Sequence, residues 1–217
     1  MIIVIGGIKG GSGKTTISTN LAVIRALQGK RVLLVDADEQ RSASDWAEHR
    51  EGLGITTPWT TVQLQGAAVR SQLVKMADDY DDVFVDTGGR DTTSQRSALT
   101  VADIFIAPFQ PRSLDVWTIG KVVSLINEIR TVNPTLKAFA VINRADPQGQ
   151  DNQDAAEIIK ETEGITYLPT PIGQRKAFAN AAAEGLGILE LKTQDKKANS
   201  ELKQLYDTIF DTVMTLN

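Results

Sequence analysis

Short β-branched apolar runs alternate along the whole chain with longer stretches in which apolar residues recur three and four positions apart. The runs that predict strands are Ile2–Ile5, Val32–Asp36, Thr61–Gln63, Val83–Asp86, Ile104–Pro108, Ala138–Ile142 and a weaker Thr166–Leu168. Several are apolar throughout instead of alternating, as expected of strands covered on both faces in a mostly parallel sheet. Between them, Ile17, Leu21, Ile24 and Leu27 share a helical face that Gly29 ends, and Val116, Ile119, Val122, Val123, Ile126 and Ile129 form a second. The alternation predicts a doubly wound α/β fold, a mostly parallel sheet flanked by helices, with ligands at the carboxyl ends of the strands. Residues 1–217 read as one domain, because no repeat, low-complexity tract or linker interrupts them. The polar run from Asn143 to Asp154 reads as a loop.

Composition narrows the chemistry. The 217 residues are 41% hydrophobic, enough for one sizeable core. A formal net charge of −4 excludes a basic nucleic-acid footprint over the whole surface but leaves room for a local stripe. With no cysteine there is no disulfide framework, thiolate zinc site or cysteine-ligated cluster, and the single histidine, His49, is expected on a partly exposed helix face. No apolar run approaches the roughly 18–20 residues of a membrane-crossing helix. Met1 to Ile5 is too short for a signal peptide and runs directly into a glycine loop, so a buried strand in a cytoplasmic protein is expected. Because that strand begins at residue 2, no helix-turn-helix module is expected ahead of it.

Three segments carry candidate chemistry. Gly6-Gly7-Ile8-Lys9-Gly10-Gly11-Ser12-Gly13-Lys14-Thr15-Thr16 follows a strand and opens a helix, the setting of a P-loop. Glycines let backbone N–H groups turn around phosphate oxygens, and the helix N-terminus adds its positive dipole end. Lys14 is expected at the β- and γ-phosphates, the Thr15 hydroxyl on Mg²⁺, and Thr16 at the α-phosphate. A second segment, Val32 to Gln40, is an apolar strand ending in Asp36 and Asp38, two residues apart and therefore on one face. In the third, Tyr80 to Asp91, Asp86 ends a strand as a candidate Mg²⁺ carboxylate, and Gly88-Gly89 supplies a joint able to respond to loss of the γ-phosphate.

Lys9-Gly10-Gly11-Ser12-Gly13-Lys14-Thr15 resembles the deviant Walker A box of ParA/MinD ATPases, with Ile8 where the general pattern has glycine. The likeness extends over nearly the whole chain and is strongest to short plasmid-type ParA proteins; it includes Phe109 to Trp117 and Ile172 to Phe178. It implies an Mg²⁺-dependent ATP hydrolase with weak intrinsic turnover. Lys9 would act in trans across an ATP-sandwiched homodimer, and Lys14 would complete the catalytic cations. Asp38 would orient the attacking water and Asp36 would support the Mg²⁺ shell, although Glu39 replaces the family's usual proline. Asn143-Arg144-Ala145-Asp146 partly matches a guanine motif, but the lysine is absent, and relatives use the asparagine on adenine. Asn143 is therefore expected at the base, with Pro169, Pro171 and Ile172 forming its other wall.

The resemblance further implies non-specific DNA binding on the nucleoid, stimulation by a ParB-like or other adaptor protein, and segregation of a plasmid or chromosome. Arg175, Lys176, Lys192, Lys196, Lys197 and Lys203 are the candidate DNA contacts. Two alternatives are the same switch carrying a protein cargo, such as a carboxysome or chemotaxis array, and a metabolic P-loop ligase or kinase. MinD ends in a membrane-binding helix, and Leu202, Leu205, Tyr206, Ile209, Phe210, Val213 and Met214 do form a stripe here. Its polar face carries Glu201, Asp207 and Asp211 against Lys203, the wrong balance for anionic lipid, so packing onto the domain is expected instead.

Overall fold

The computed structural model describes residues 1–111, 118–148 and 150–215, with side chains described as far as 211. Among the described residues there are seven strands: β1 (Ile2–Ile5), β2 (Val32–Ala37), β3 (Thr60–Gln63), β4 (Asp82–Thr87), β5 (Ile104–Phe109), β6 (Lys137–Ala145) and β7 (Thr166–Gly173). Among the described residues the α-helices are α1 (Lys14–Leu27), α2 (Ser42–Gly52), α3 (Ala68–Met76), α4 (Thr93–Leu99), α5 (Ile119–Arg130), α6 (Asp151–Glu161), α7 (Lys176–Ala183) and α8 (Lys196–Thr215). The strands form one parallel sheet in the order β3-β2-β4-β1-β5-β6-β7.

Each strand sends alternate side chains into two separate cores, which is why the strand sequences are apolar without a break. Ile3, Ile5, Leu34, Phe84, Ile104 and Ile106 pack on one face with α1, α2 and α8. Ile2, Val4, Leu33, Val83, Val85 and Phe105 pack on the other with α3, α4, α5 and α6. The exceptions fall at the edges. β3 is short and half-exposed, and β7 carries Pro169 and Pro171. A sheet edge is where a missing N–H costs no ladder bond. β7 also runs five residues beyond its predicted end, so these prolines lie in a strand and not in a loop.

Helix faces follow the expected stripes with one correction. Ile17, Leu21 and Ile24 are buried, but Leu27 is 58% exposed. At 3.6 residues per turn it lies roughly a quarter turn off the buried stripe. In α5, Ile119, Val122, Ile126 and Ile129 are buried and Val123 is half-buried; Val116 falls outside the described residues. His49 is exposed on α2, its Nε2 3.0 Å from the Ala183 carbonyl.

The carboxyl-terminal helix packs on the domain, as its charge balance predicted. Leu202, Leu205 and Ile209 are buried in the first core and Phe210 packs against it. The side chains of Val213 and Met214 lie outside the described ones. Arg25 of α1 clamps this contact: its guanidinium donates to Asp82 at 2.6 Å and to the Tyr206 hydroxyl at 2.9 Å, and lies 4.5 Å over the Phe210 ring. Among the described residues no helix is long and apolar enough to cross a membrane. Leu205 is 0% exposed. Leu205→Ala is therefore expected to lower unfolding free energy by about 2–4 kcal/mol in urea titration, a loss that a free membrane anchor would not produce.

Candidate functional site

The strand order brings the three sequence segments together. β1 stands between β4 and β5, where the chain's winding reverses, so the loop after β1 opens at the switch point of the sheet. β4 lies between β1 and β2, and Asp86 aligns with Ile5 on one side and Asp36 on the other. Segments fifty residues apart thus meet through parallel register alone.

The phosphate loop is held from outside through its carbonyls. Lys14 Nζ donates to the Lys9 carbonyl at 3.0 Å, Gln110 Nε2 to that of Gly11 at 2.9 Å, and Asn143 Nδ2 to that of Ser12 at 2.7 Å. With these carbonyls bound, the neighbouring N–H groups are left to an anion. Gly13 begins the helix with φ of 88°, and a Cβ there would stand 2.1 Å from Asn143 Nδ2. Only glycine combines that backbone with so close a support.

Below the loop, Thr15 Oγ1 donates to Asp86 Oδ2 at 2.6 Å. Asp86 is fully buried, and its Oδ1 has no hydrogen-bond partner. Burial pushes this carboxyl up to about 7; the Thr15 hydrogen bond opposes the shift, the Asp36 charge adds to it, and the Lys14 charge opposes it. Lys14 is lowered by its own burial, with Asp86 and Asp38 pulling the other way. An unpartnered buried carboxylate oxygen beside a threonine hydroxyl is a hard-oxygen donor set suited to Mg²⁺, which takes one or two protein ligands and completes its shell with water and phosphate. Among the described residues no group of three or more His, Cys, Asp or Glu offers a self-sufficient metal site.

Asp36, expected to support the Mg²⁺ shell, also holds backbone in place. Its Oδ1 accepts the Asp38 N–H at 3.1 Å and its Oδ2 accepts the Ser44 N–H at 2.7 Å, so both oxygens fasten the loop and the start of α2 to the strand end. Asp38 is half-buried and lies over the Gly88-Gly89 joint: a Cβ on Gly88 would stand 3.0 Å from its Oδ1. Gly89 packs on the phosphate loop itself, 2.5 Å separating its would-be Cβ from Gly10 Cα.

A cavity of about 670 Å³ joins these parts, lined by Gly10, Gly11 and Gly13 to Thr16 on the loop, Asp38 to Gln40 on one side, and Gly88 to Arg90 and Arg144 on others. Lys9 is half-buried and is not among the lining residues. Of the expected base contacts, Asn143 supports Ser12 and Ile172 is 2% exposed within the core, leaving Pro169 and Pro171 exposed on β7. Of the candidate DNA cations, Arg175 is committed to Glu201 through bonds of 2.8 and 2.5 Å, whereas Lys176, Lys192, Lys196, Lys197 and Lys203 are exposed.

Gln95, Gln110 and Arg144 were not assigned roles from the sequence. Gln95 is 0% exposed; its Oε1 accepts the Gly7 N–H at 2.9 Å and the Thr87 hydroxyl at 2.8 Å, tying the phosphate loop to the end of β4. A glutamine inside a helix carries no local signal of such work. Arg96 holds Asp91 through two bonds and Glu128 at 2.7 Å, bracing the glycine joint against α5.

Residues 3–188 match the family profile described as the CobQ/CobB/MinD/ParA nucleotide binding domain. The chain is 29% identical over 209 residues, 95% of each chain, to the maintenance of carboxysome distribution protein A of Halothiobacillus neapolitanus. Among solved structures it resembles a plasmid partition protein of Borrelia burgdorferi B31 bound to AMPPNP, with TM-score 0.77, 20% identity, and 97% of this chain and 98% of that one covered. It equally resembles cobyrinic acid a,c-diamide synthase of Mycobacterium smegmatis with bound ATP analogue and magnesium, with TM-score 0.77, 21% identity, and coverage of 96% and 93%.

Two outcomes are expected at this site. Asp86 holds a proton in the folded protein between its ordinary 3.8 and about 7 that the unfolded chain has lost. Stability therefore falls as pH rises through that window, and the penalty is complete above it. Asp86→Asn is expected to raise the melting temperature in EDTA by several degrees at pH 8 and by less at pH 5. Gly89→Ala drives a methyl into the Gly10 backbone and is expected to weaken Mg·ATP binding by roughly tenfold or more, read by titration calorimetry, with near-native far-UV circular dichroism.

Proposed function

This chain belongs to the CobQ/CobB/MinD/ParA nucleotide-binding family, and from that footing we propose that it is an Mg²⁺-dependent ATPase switch that dimerises on ATP to segregate or position a cargo. The observation that carries the reading is the separation of the two lysines. Lys14 lines the phosphate cavity, whereas Lys9, five residues earlier on the same loop, does not. A cation at that position is suited to the nucleotide of a second subunit.

In the proposed cycle, the N–H groups of Gly10 to Thr16 and the Lys14 ammonium hold the phosphates. Thr15 and Asp86 would hold Mg²⁺, with Asp36 supporting its water shell, and the ion would supply positive charge that offsets the crowding of Asp86, Asp36 and Asp38. Asp38 orients the attacking water above Gly88, with Asp36 fixing the backbone from which Asp38 projects. Lys9 of the partner stabilises charge on the transferred phosphoryl group. Gly88-Gly89, packed on Gly10, relays loss of that group to the Arg96-braced segment. The base lies beside Asn143 and the β7 segment containing Pro169 and Pro171.

The dimer binds nucleoid DNA through exposed lysines, and an adaptor protein stimulates hydrolysis and release. Lys176, Lys192, Lys196, Lys197 and Lys203 remain the cations for that surface, while Arg175 acts through its ion pair as support. A plasmid or chromosome is the first cargo, in keeping with the likeness to a plasmid partition protein. A carboxysome-like protein cargo is the second reading, favoured by the 29% identity spread over 95% of both chains.

Molecular mass with Mg·ADP and Mg·ATP tests the switch. ATP is expected to double the mass, Lys9→Ala to abolish the doubling, and Asp38→Ala to prolong it. A mass indifferent to ATP, with normal turnover by Lys9→Ala, would leave a metabolic reaction as the better account. DNA affinity of the ATP-bound protein is expected to fall roughly a hundredfold or more between 50 and 200 mM salt, measured by fluorescence anisotropy on unrelated duplexes.

A further inference from the structure

Gly6 is a glycine for a reason of space. Gly11 and Gly13 have positive φ, whereas Gly6 does not. A Cβ on Gly6 would instead stand 2.7 Å from Gln95 Oε1, 2.7 Å from Phe105 Cε2 and 2.8 Å from Thr87 Oγ1. The room left by the missing side chain is taken by the Gln95 amide. Its orientation is fixed by chemistry: Gly7 offers an N–H at 2.9 Å, so the atom facing it must be the acceptor oxygen. Thr87 has one hydroxyl hydrogen, within reach of the same oxygen at 2.8 Å and of the Ile5 carbonyl at 3.1 Å. Among the described residues Gln95 Nε2 is left buried without a hydrogen-bond partner. An unpaired buried donor is unfavourable, so the glutamine is held for what its oxygen does and not for the comfort of its own amide.

That oxygen acts on the part of the loop ahead of the cavity. Gln110 and Asn143 hold the carbonyls of Gly11 and Ser12, within the stretch that lines the cavity. Upstream, Gln95 holds Gly7, Ile8 packs on the second core, and the Lys9 carbonyl accepts from Lys14. Lys9 therefore hangs between two anchors, with Gly89 so close that a Cβ there would stand 2.9 Å from the Lys9 carbonyl carbon. We propose that Gln95 is a positioning residue: it sets the path from Gly7 to Lys9, and so the aim of Lys9 at a second subunit, while taking little part in holding bound nucleotide. The proposal rests on the ATPase switch reading above. It also ties that aim to α4, since Gln95 lies in the first turn after the glycine joint, where its own N–H is capped by Thr92 at 3.2 Å. A cation that acts across an interface depends on exact placement, because its bond forms only when the partner's phosphate arrives.

Three measurements on the full chain test this: Mg·ADP affinity by titration calorimetry, molecular mass in Mg·ATP, and turnover as phosphate release. Gln95→Met keeps the length of the side chain and removes the acceptor. It is expected to bind Mg·ADP within about threefold of wild type, yet to lose the doubling of mass and roughly tenfold or more in turnover. Adding Gln95→Met to Lys9→Ala is expected to lower turnover by no more than about a further twofold, since both act through one cation. Full additivity in that cycle would overturn the proposal. So would normal turnover by Gln95→Met, or an Mg·ADP affinity that falls as far as turnover does. Should Gln95→Met not fold, Gln95→Asn, whose amide stops one methylene short, is read in the same way. Wild-type protein whose mass and turnover ignore ATP would overturn the switch reading itself, whereas a switching wild type matched by a switching Gln95→Met would overturn this assignment alone.

Discussion

The site depends on the orientation of a few peptide planes in the phosphate loop. Each peptide unit has a carbonyl and, except at proline, an N–H, and a loop that offers N–H groups to an anion must turn its carbonyls elsewhere. Three side chains from three directions receive them: Lys14 from the loop's own helix, Gln110 from beyond β5 and Asn143 from β6. Gln95 fastens the start of the same loop to Thr87 by accepting the Gly7 N–H. The glycines permit the conformation, but these amides and the lysine select it from the many that glycine allows.

Electrostatic crowding makes the opposite side of the site responsive. Asp86 and Asp36 are neighbours across a parallel ladder, both fully buried, with Asp38 close by. Asp36 is satisfied by two backbone N–H groups, whereas Asp86 retains an unpartnered oxygen and a carboxyl raised to about 7. The penalty is therefore concentrated on one group, beside the Thr15 hydroxyl. Gly88 packs tightly under the Asp38 side chain, and Gly89 packs on the Gly10 backbone with no room for a side chain.

The surface follows a different logic. Arg25, Arg50 and Arg175 are held at least partly inside by carboxylates, Arg50 through a bidentate pair with Glu190 while lying 4.9 Å over Trp59. These arginines join α1, α2 and the segment after β7 to distant elements. The lysines near α7 and α8 stay in solvent, so the exposed positive charge of that region comes mainly from lysine. A composition with net negative charge is compatible with such a local patch because the paired arginines contribute little to it.

What the sequence determined by itself was local in origin. Apolar runs bounded by glycine marked the strands, the 3.6-residue stripe marked α1 and α5, and Gly10 to Thr16 between a strand and a helix marked the phosphate loop, because each signal lies within about ten consecutive residues. The same reach explains why Asp86 was legible as a strand-end acid and why the acidic face of α8 predicted packing. The tertiary structure decided everything that required two distant segments to meet. It assigned Asp36 to backbone N–H groups, Asn143 to Ser12, Ile172 to the core and Arg175 to Glu201. It also brought Gln95 and Gln110 to the loop and turned Leu27 outward. The physical reason is that side-chain hydrogen bonds and burial depend on neighbours in space. Those neighbours are set by strand order and register, which no single segment of the chain encodes.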